Sequence, residues 1–272
     1  MMLASLRKAV EKLPLVPEIY RSVRDQYRVA RLSAQPTPMG IQFAGHAEMA
    51  SGTFEPEEMK FIQTSLEGVD VFVDVGANLG LYACMARKAG KQVVAVEPLP
   101  ENVTGLLFNL HANGFDDVEV FPVGLSERPG LLTLFGGGTG ASLVAGWSGG
   151  SVRYQRLVTV STLDLLIARR FEGKRLLIKI DVEGAELAVL RGAGESLRRR
   201  PRPLWMVEVC LAEHHPGGRH PAFLDVFDTF WNEGYTVRAM GEDHALQRSE
   251  LVEMLHSGQS PRGHNYVFSS SE

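Results

Sequence analysis

The sequence has few cysteines and no long apolar run. Its 272 residues include only two cysteines, Cys84 and Cys210, which lie within apolar helix and strand patterns. We therefore expect buried, reduced thiols rather than a disulfide or a metal pair. No apolar stretch approaches the roughly 20 residues needed to cross a bilayer, and the N-terminus lacks an apolar signal core. A cytoplasmic protein without stable membrane insertion is expected.

A strong excess of charge of either sign is also missing. The formal net charge is −4 and the pI is near 6.1, so the totals give no reason to expect a nucleic-acid partner. Hydrophobic residues make up 44% of the chain, which is enough to bury a large core. The length suits one domain with an appendage.

The appendage is expected at the N-terminus. Residues 1–31 have the pattern of two short helices and carry seven Lys or Arg against three Asp or Glu. We interpret residues 1–45 as a helical arm and connector, packed on the core or on a second subunit of a homodimer. The main domain then covers residues 46–272, with a strand and loop insertion at residues 131–160.

A strand that runs into a glycine turn and then a helix organises the main domain. Residues 71–75 read Val-Phe-Val-Asp-Val, as expected of a strand covered on both faces, and apolar helical spacing resumes near residue 79. Between them, Gly76 and Gly80 allow a tight turn beside the free amides of a helix N-terminus. We infer a nucleotide-type site that includes Asp74, the two glycines and Asn78.

An acidic residue at the tip of the next strand supports this site. Glu97, followed by Pro98, lies 21 residues beyond Gly76, where a carboxylate can accept hydrogen bonds from both ribose hydroxyls. A dinucleotide fingerprint needs a middle glycine where this chain has Asn78, so a ligand without phosphates is favoured and S-adenosylmethionine fits better than NAD. The remaining residues predicted beside this ligand are Asn102 and, at the end of the third strand, Gly124, Leu125 and Ser126.

Carboxylates crowd the end of the fourth predicted strand. Asp181, Glu183 and Glu186 follow the apolar run at the sheet edge where doubly wound folds bind ligands. Like charges this close raise at least one pKa, which suits a general base, whereas Glu186 is explained more simply as stabilising a helix N-terminus. Glu208 lies inside the apolar fifth strand, and a buried carboxylate is costly unless it is paired or functional.

Three loop positions leave alternatives open. His214 and His215 do not share a strand or helix face, so either one accepts a proton or both are exposed loop residues. The glycine-rich segment 136–142 is either a lid over an acceptor or a plain connector. Glu55 either stabilises the N-terminus of the predicted helix 57–66 with its negative charge or contacts the cofactor.

Together these motifs resemble the FkbM-type methyltransferase family. They run in family order from about residue 52 to the C-terminus, and residues 1–45 lie outside the resemblance. The resemblance implies an α/β fold of the class I methyltransferase type, a Rossmann-like three-layer sandwich whose seven-stranded sheet has the order 3-2-1-4-5-7-6 with the last strand antiparallel. The matching segments are Gly52-Thr-Phe-Glu-Pro56, Asp74-Val-Gly-Ala-Asn-Leu-Gly80, Glu97-Pro98 with Asn102, Ser142, Leu163-Asp164 and Ile180-Asp-Val-Glu-Gly-Ala-Glu186.

The resemblance also implies an activity and residue roles. Such enzymes transfer a methyl group from S-adenosylmethionine, usually to an oxygen of a sugar, a glycolipid or a polyketide- or peptide-type natural product. A magnesium ion held by carboxylates is possible but not favoured. The acid-base neighbourhood is expected to comprise Asp181, Glu183, Glu208 and His214, with Asp181 also beside the cofactor and with Ser142, Glu183 and His215 beside the acceptor.

Two other function classes remain open. An oxidoreductase that uses NAD or a nucleotide sugar would need the middle glycine and a hydride-transfer set such as Tyr-x-x-x-Lys, and the chain has neither. A non-catalytic scaffold that binds a partner through the arm would predict a degraded pocket. Asp74, Gly76, Gly80 and Glu97 are all present, so the enzyme is the favoured hypothesis.

Overall fold

The computed structural model describes residues 32–258 and 263–270. The helices predicted within residues 1–31 lie outside the described residues. A seven-stranded sheet forms the centre of the described part. Its strands, in chain order, are β1 Val71–Val75, β2 Gln92–Val96, β3 Glu119–Phe121, β4 Leu176–Ile180, β5 Leu204–Glu208, β6 Thr236–Ala239 and β7 Asn265–Ser269.

The strand order is 3-2-1-4-5-7-6. Strands β1 to β5 pair in parallel, and β7 is antiparallel to both of its neighbours, β5 and β6. This arrangement confirms the predicted sheet. Because β1 lies between β2 and β4, the winding reverses there, and a crevice opens at the carboxyl ends of these strands.

Helices cover both faces of the sheet. Side chains of β1 alternate between two cores: Val71, Val73 and Val75 face one, and Phe72 faces the other. The uninterrupted apolar runs in the sequence follow from this burial on both faces. The helices are α1 Ala47–Ser51, α2 Pro56–Leu66, α3 Leu81–Lys88 and α4 Pro100–Ala112 on one side, and α5 Leu163–Ile167, α6 Glu186–Arg191, α7 Gly194–Arg198, α8 Phe223–Asn232 and α9 Arg248–Ser257 on the other.

The predicted insertion forms a second, smaller sheet. Gly130–Phe135 pairs antiparallel with Gln155–Ser161, and Gly124–Leu125 pairs in parallel with the same strand. The prediction that Gly124, Leu125 and Ser126 lie at the end of the third strand is therefore only partly right. Pro122 has no amide hydrogen to continue the ladder, so β3 ends before it and the chain turns into the smaller sheet.

Residues 32–45, predicted to be a connector, pack against the main domain. Ile41 and Phe43 are buried in the core that α2, α3 and α4 share. The short strands Gln35–Pro36 and Gln42–Phe43 pair with each other beside it. In the part of the chain that the structure describes, this segment thus belongs to the domain.

Asn109 of α4 fixes that segment. Its Oδ1 accepts from the amide of Ala44 at 2.7 Å, and its Nδ2 donates to the carbonyls of Ala44 and Leu79 at 3.0 and 2.8 Å. The side chain is buried, so all three partners would lose their hydrogen bonds without replacement by water. Asn109 therefore joins three pieces of chain.

The two cysteines match the sequence expectation of buried thiols. Cys84 and Cys210 are buried and free. Over residues 32–258 and 263–270, no helix combines the length and the apolar character that a membrane crossing requires.

We expect Asn109→Ala to lower the free energy of unfolding by about 3 kcal/mol, because it leaves three buried backbone groups unpaired. The matched control is His111→Ala on the same helix, whose side chain is 87% exposed and should change stability by less than about 0.5 kcal/mol. Urea unfolding followed by circular dichroism measures both. Equal stabilities of the two variants would contradict the role given to Asn109.

Candidate active site

The crevice at the switch point lies where the sequence predicts a ligand. Its walls come from the ends of β1, β2 and β4 and from the glycine-rich loop, which lies across it. The volume of the crevice is about 60 Å³. The lining residues are Val75, Gly76, Asn78, Val96, Glu97, Pro98, Asn102, Val123, Gly124, Leu125, Leu134, Gly138, Thr139, Ala141, Leu143, Asp181, Val182 and Glu183.

The turn after β1 brings the backbones of β1 and β4 into contact. Gly76 has φ +85°, and a Cβ at this position would lie 1.8 Å from the carbonyl oxygen of Asp181. Only glycine fits such an approach. The amides of Gly76 and Ala77 both donate to the carbonyl of Val96, and that of Gly80 donates to Ala77. These amides are used within the protein, so they do not form the free cradle that a pyrophosphate needs.

Glu97 is the central acceptor of the crevice. Its side chain is 5% exposed, Oε2 accepts from the amide of Asn78, and Oε1 accepts from the amide of Leu99, both at 2.9 Å. Burial raises the pKa of Glu97 to about 7, and the two amides oppose that rise. A side-chain hydrogen bond from Asn102 also lowers this pKa, and the carboxylate remains on the wall of the crevice, where a ligand can donate to it. The carboxylate therefore fits a ligand with two neighbouring hydroxyls, such as a ribose.

Asn102 connects the crevice to the loop that covers it. Its Nδ2 donates to the carbonyl of Gly138 at 3.1 Å. Pro98, Gly124 and Leu125 line the crevice, as the sequence predicts. Ser126 does not reach the lining, because its amide pairs with the carbonyl of residue 161 in the smaller sheet, which turns it away.

A wider cavity of about 500 Å³ adjoins the crevice. The two share Asn78, Thr139, Asp181 and Glu183. A cavity of this size suits a small-molecule ligand. It is lined by His46, Ala47, Glu48, Met49, Phe54, Glu55, Asn78, Thr139, Asp181, Glu183 and Glu208.

Buried Lys179 organises the carboxylates between the two cavities. Its side chain is 4% exposed, and Nζ donates to Asp181 Oδ2 at 2.8 Å. The register of β4 on β1 places it opposite Asp74. Burial alone would lower the pKa of Lys179, but the charges of Asp181, Asp74 and Glu55 outweigh burial and raise it. An ammonium is tolerated here because it is paired.

The sequence reasoning missed Lys179, although a signal was present. A lysine inside the apolar run 176–180 is as unusual as Glu208 inside β5, and the same argument from the cost of burial predicts a paired role for both.

Asp181 and Glu208 lie side by side at the ends of β4 and β5. The pairing of Ile180 with Val207 sets this arrangement. The negative charge of Asp181, together with burial, raises the pKa of Glu208. Burial acts in the same direction on Asp181, but the ammonium of Lys179 and the hydrogen bond from Glu208 outweigh it and lower the pKa of Asp181. The two opposite shifts favour a proton on Glu208, which donates a hydrogen bond to the carboxylate of Asp181.

Glu183 is held in place by the insertion. Trp147 Nε1 donates to its Oε2 at 2.5 Å, and Ser142 Oγ donates to its carbonyl at 2.6 Å. Gly184, with φ +94°, lets the indole pack so closely that a Cβ there would lie 2.4 Å from the ring. Burial, followed by the charge of Asp181, raises the pKa of Glu183 to about 7. A carboxylate with this pKa suits a general base.

No sequence signal indicated Trp147. The indole reaches Glu183 across a separation of 36 residues, and the contact depends on how the insertion folds.

Six predicted site residues lie away from the walls of both cavities, and two of them are Gly80 of the turn and Ser126. Ser142 is 1% exposed and supports the backbone of Glu183, so it is not placed to touch an acceptor. The rings of His214 and His215 pack behind the indole of Trp147, with centroids 5.9 and 6.3 Å away. Asp74 is buried beneath the turn, where burial raises its pKa to about 6 and Lys179 opposes the rise.

Glu55 and Glu186 had alternative interpretations. Glu55 makes no side-chain cap bond to α2, lines the wider cavity and accepts from the hydroxyl of Tyr82 at 2.7 Å. Burial raises its pKa. The geometry therefore favours ligand contact for Glu55. Glu186 Oε1 instead accepts from the amide of Gly184 at 2.8 Å, which is the structural role expected at the start of α6.

A metal centre was the less favoured prediction for these carboxylates. Within residues 32–258 and 263–270, no three His, Cys, Asp or Glu side chains are arranged to hold a metal ion.

The sheet and the site together define a class of protein. The strand order, the glycine turn after β1 and the acid at the tip of β2 are those of a Rossmann-like class I methyltransferase. The chain belongs to the FkbM methyltransferase family, since the methyltransferase FkbM domain matches residues 74–237. The predicted family is thereby confirmed.

Relatives and solved structures extend this comparison. The chain is 30% identical over 168 residues to the hexuronic acid methyltransferase AglP of Haloferax volcanii, and the match covers 60% of this chain and 63% of that relative, or less than two thirds of its length. The O-methyltransferase from Bacillus cereus, solved in complex with SAH, shares 12% identity at a TM-score of 0.46, covering 82% of this chain and 84% of that one. The ribosomal protein L11 methylase from Lactobacillus delbrueckii subsp. bulgaricus shares 12% identity at a TM-score of 0.43, covering 79% of this chain and 77% of that one. The fold assignment rests on the strand order and the family match.

We expect Trp147 fluorescence to report the ionisation of Glu183. Because the indole donates to this carboxylate, the emission should change with a midpoint near the Glu183 pKa of about 7. Glu183→Gln should abolish the transition, and Trp147→Phe should remove it while leaving emission from Trp205 and Trp231. If the transition survives in Glu183→Gln, it belongs to the histidines packed on the indole and the assignment to Glu183 is wrong.

Proposed function

We propose that the protein transfers a methyl group from S-adenosylmethionine to a hydroxyl oxygen of a small-molecule or glycan acceptor. The observation that carries the proposal is the junction of the two cavities. The crevice around Glu97 and the wider cavity share Asp181 and Glu183, so a cofactor in the first and an acceptor in the second would meet at these carboxylates. The name of the relative, a hexuronic acid methyltransferase, supports a saccharide-type acceptor.

The residues of the crevice fit S-adenosylmethionine better than NAD. Glu97 offers its carboxylate to the ribose hydroxyls, and Gly124 and Leu125 supply a wall suited to an adenine. The amides of Gly76 and Ala77 are already bonded to Val96, which leaves no cradle there for a pyrophosphate. The same intact set of groups disfavours a non-catalytic scaffold.

When bound, S-adenosylmethionine supplies an electrophilic methyl group on a positively charged sulfur. The chain contributes position and charge. Lys179 and Glu208 keep Asp181 ionised, and this carboxylate favours a positively charged group at the junction. Glu183 would accept the proton of the acceptor hydroxyl, and the methyl group would leave the sulfur of S-adenosylmethionine, with S-adenosylhomocysteine as the leaving group. Trp147 and Ser142 hold Glu183 in place for that step.

Isothermal titration with S-adenosylmethionine and with NAD tests the cofactor. We expect binding of S-adenosylmethionine with a Kd of roughly micromolar, and a loss of about 100-fold in Glu97→Ala, which removes two hydrogen bonds from a charged acceptor. Glu127→Ala, an exposed acid near the same end of the sheet, is the matched control and should bind normally. Binding of NAD instead would contradict the proposal.

The pH dependence of methyl transfer tests the base. With a hydroxylated acceptor, the rate should rise with pH through about 7 and then level off, because Glu183 accepts a proton only when ionised and its pKa is raised to about 7. Glu183→Gln should lower the rate by about 100-fold or more and remove this dependence.

Two controls separate the loss of the base from a loss of cofactor binding and from a metal requirement. S-adenosylmethionine binding to Glu183→Gln should stay within about threefold of the parent protein, and EDTA should leave the rate unchanged. A Glu183→Gln variant with the parent rate and pH profile would exclude Glu183 as the base.

A further inference from the structure

The charge of the wider cavity bears on which acceptors can enter. Among the described residues that line it, five are acidic and none is Lys or Arg. The ammonium of Lys179 is not part of this lining and is already bound to Asp181 at 2.8 Å. The acidic lining residues are Glu48, Glu55, Asp181, Glu183 and Glu208.

These groups suit hydrogen-bond donors. Glu208 shares its proton with Asp181, and the other carboxylates only accept hydrogen bonds when they are ionised, so the ligand has to supply the hydrogens. Glu55 and Glu183 each have a donor from the protein, Tyr82 and Trp147, and each can accept further bonds. Sugar hydroxyls meet this requirement. A carboxylate or phosphate on the acceptor would place another negative charge among these acids, and no Lys or Arg of the described lining would pair with it.

The cavity also offers an apolar surface. Ala47, Met49 and half-buried Phe54 belong to the lining. Hydrophobic side chains beside a few polar groups that fix orientation are typical of small-molecule sites. A neutral sugar has both parts: C–H groups that pack on an apolar surface and hydroxyls that donate to carboxylates.

We propose that this cavity selects an uncharged, polyhydroxylated acceptor, such as a neutral hexose unit, and rejects sugars that carry a carboxylate or phosphate beside the reacting hydroxyl. The proposal rests on the methyltransferase function given above and adds the acceptor class. It separates this chain from its relative AglP, which is named for hexuronic acid.

Paired acceptors test the selection. The probes are the methyl glycosides of glucose, galactose and mannose and of the three corresponding hexuronic acids, at low concentration with radiolabelled S-adenosylmethionine. We expect kcat/KM for at least one neutral hexoside to exceed that of its hexuronate by 10-fold or more. A hexuronate that reacts as well as or better than its neutral partner overturns the proposal.

Charge reversal at the cavity tests the cause. Glu48→Lys replaces an exposed acid of the lining and should narrow the ratio between neutral and uronate acceptors by at least threefold. Glu67→Lys makes the same charge change on an exposed site outside the lining and should leave the ratio unchanged. Equal ratios in the two variants would show that cavity charge does not set the preference.

Titration with S-adenosylmethionine separates this proposal from the one on which it rests. A protein that binds S-adenosylmethionine but methylates none of the neutral hexosides keeps the cofactor assignment and overturns the acceptor class. A protein that does not bind S-adenosylmethionine refutes the proposed function, and the acceptor class falls with it.

Discussion

A single buried ammonium allows the sheet to end in a row of carboxylates. Lys179 on β4 lies opposite Asp74 and donates to Asp181, and the charge of Glu55 also acts on it. Burying these acids without a cation would be costly, and they would take up protons. With the cation present, the pKa of Asp181 is lowered. The charge of Asp181 and burial then raise the pKa of Glu208, and burial, followed by the charge of Asp181, raises the pKa of Glu183. The protonation states at the junction of the two cavities thus follow from one lysine.

Backbone geometry supplies the second constraint. Gly76 touches the carbonyl of Asp181 so closely that no side chain fits between the β1 turn and the end of β4. This contact places the cofactor crevice directly beside the carboxylates. The insertion then orients Glu183, because Trp147 donates to its carboxylate and Ser142 donates to its backbone carbonyl. The central sheet therefore provides charge, and the insertion provides orientation.

Burial explains which parts of the fold could be predicted from the sequence. The strands at 71–75, 92–96 and 176–180 are covered on both faces, so their sequences are short, largely apolar runs that are easy to identify. Glu97 could be placed because its distance from the glycine turn is set by one helix and one strand. The end of β3 was misjudged because Pro122 diverts the chain. The glycine-rich loop had two interpretations, and the structure shows it lying across the crevice.

The support around Glu183 could not be predicted in the same way. Its contacts with Trp147 and Ser142 span 36 and 41 residues, and they depend on the path of the insertion. For the same reason His214 and His215, which are polar and close in sequence to β5, were expected at the site but pack behind the indole. Lys179 could have been predicted, because charge in a buried strand is a physical signal that does not depend on loop structure.

A crystal structure with S-adenosylhomocysteine and a neutral methyl hexoside is the most direct test of the roles given to Glu97 and Glu183. We expect both ribose hydroxyls to bind Glu97, the sulfur to face the junction of the cavities, and a sugar hydroxyl to lie about 3 Å from the Glu183 carboxylate. A ribose bound away from Glu97, or a sugar seated with no hydroxyl near Glu183, would contradict it.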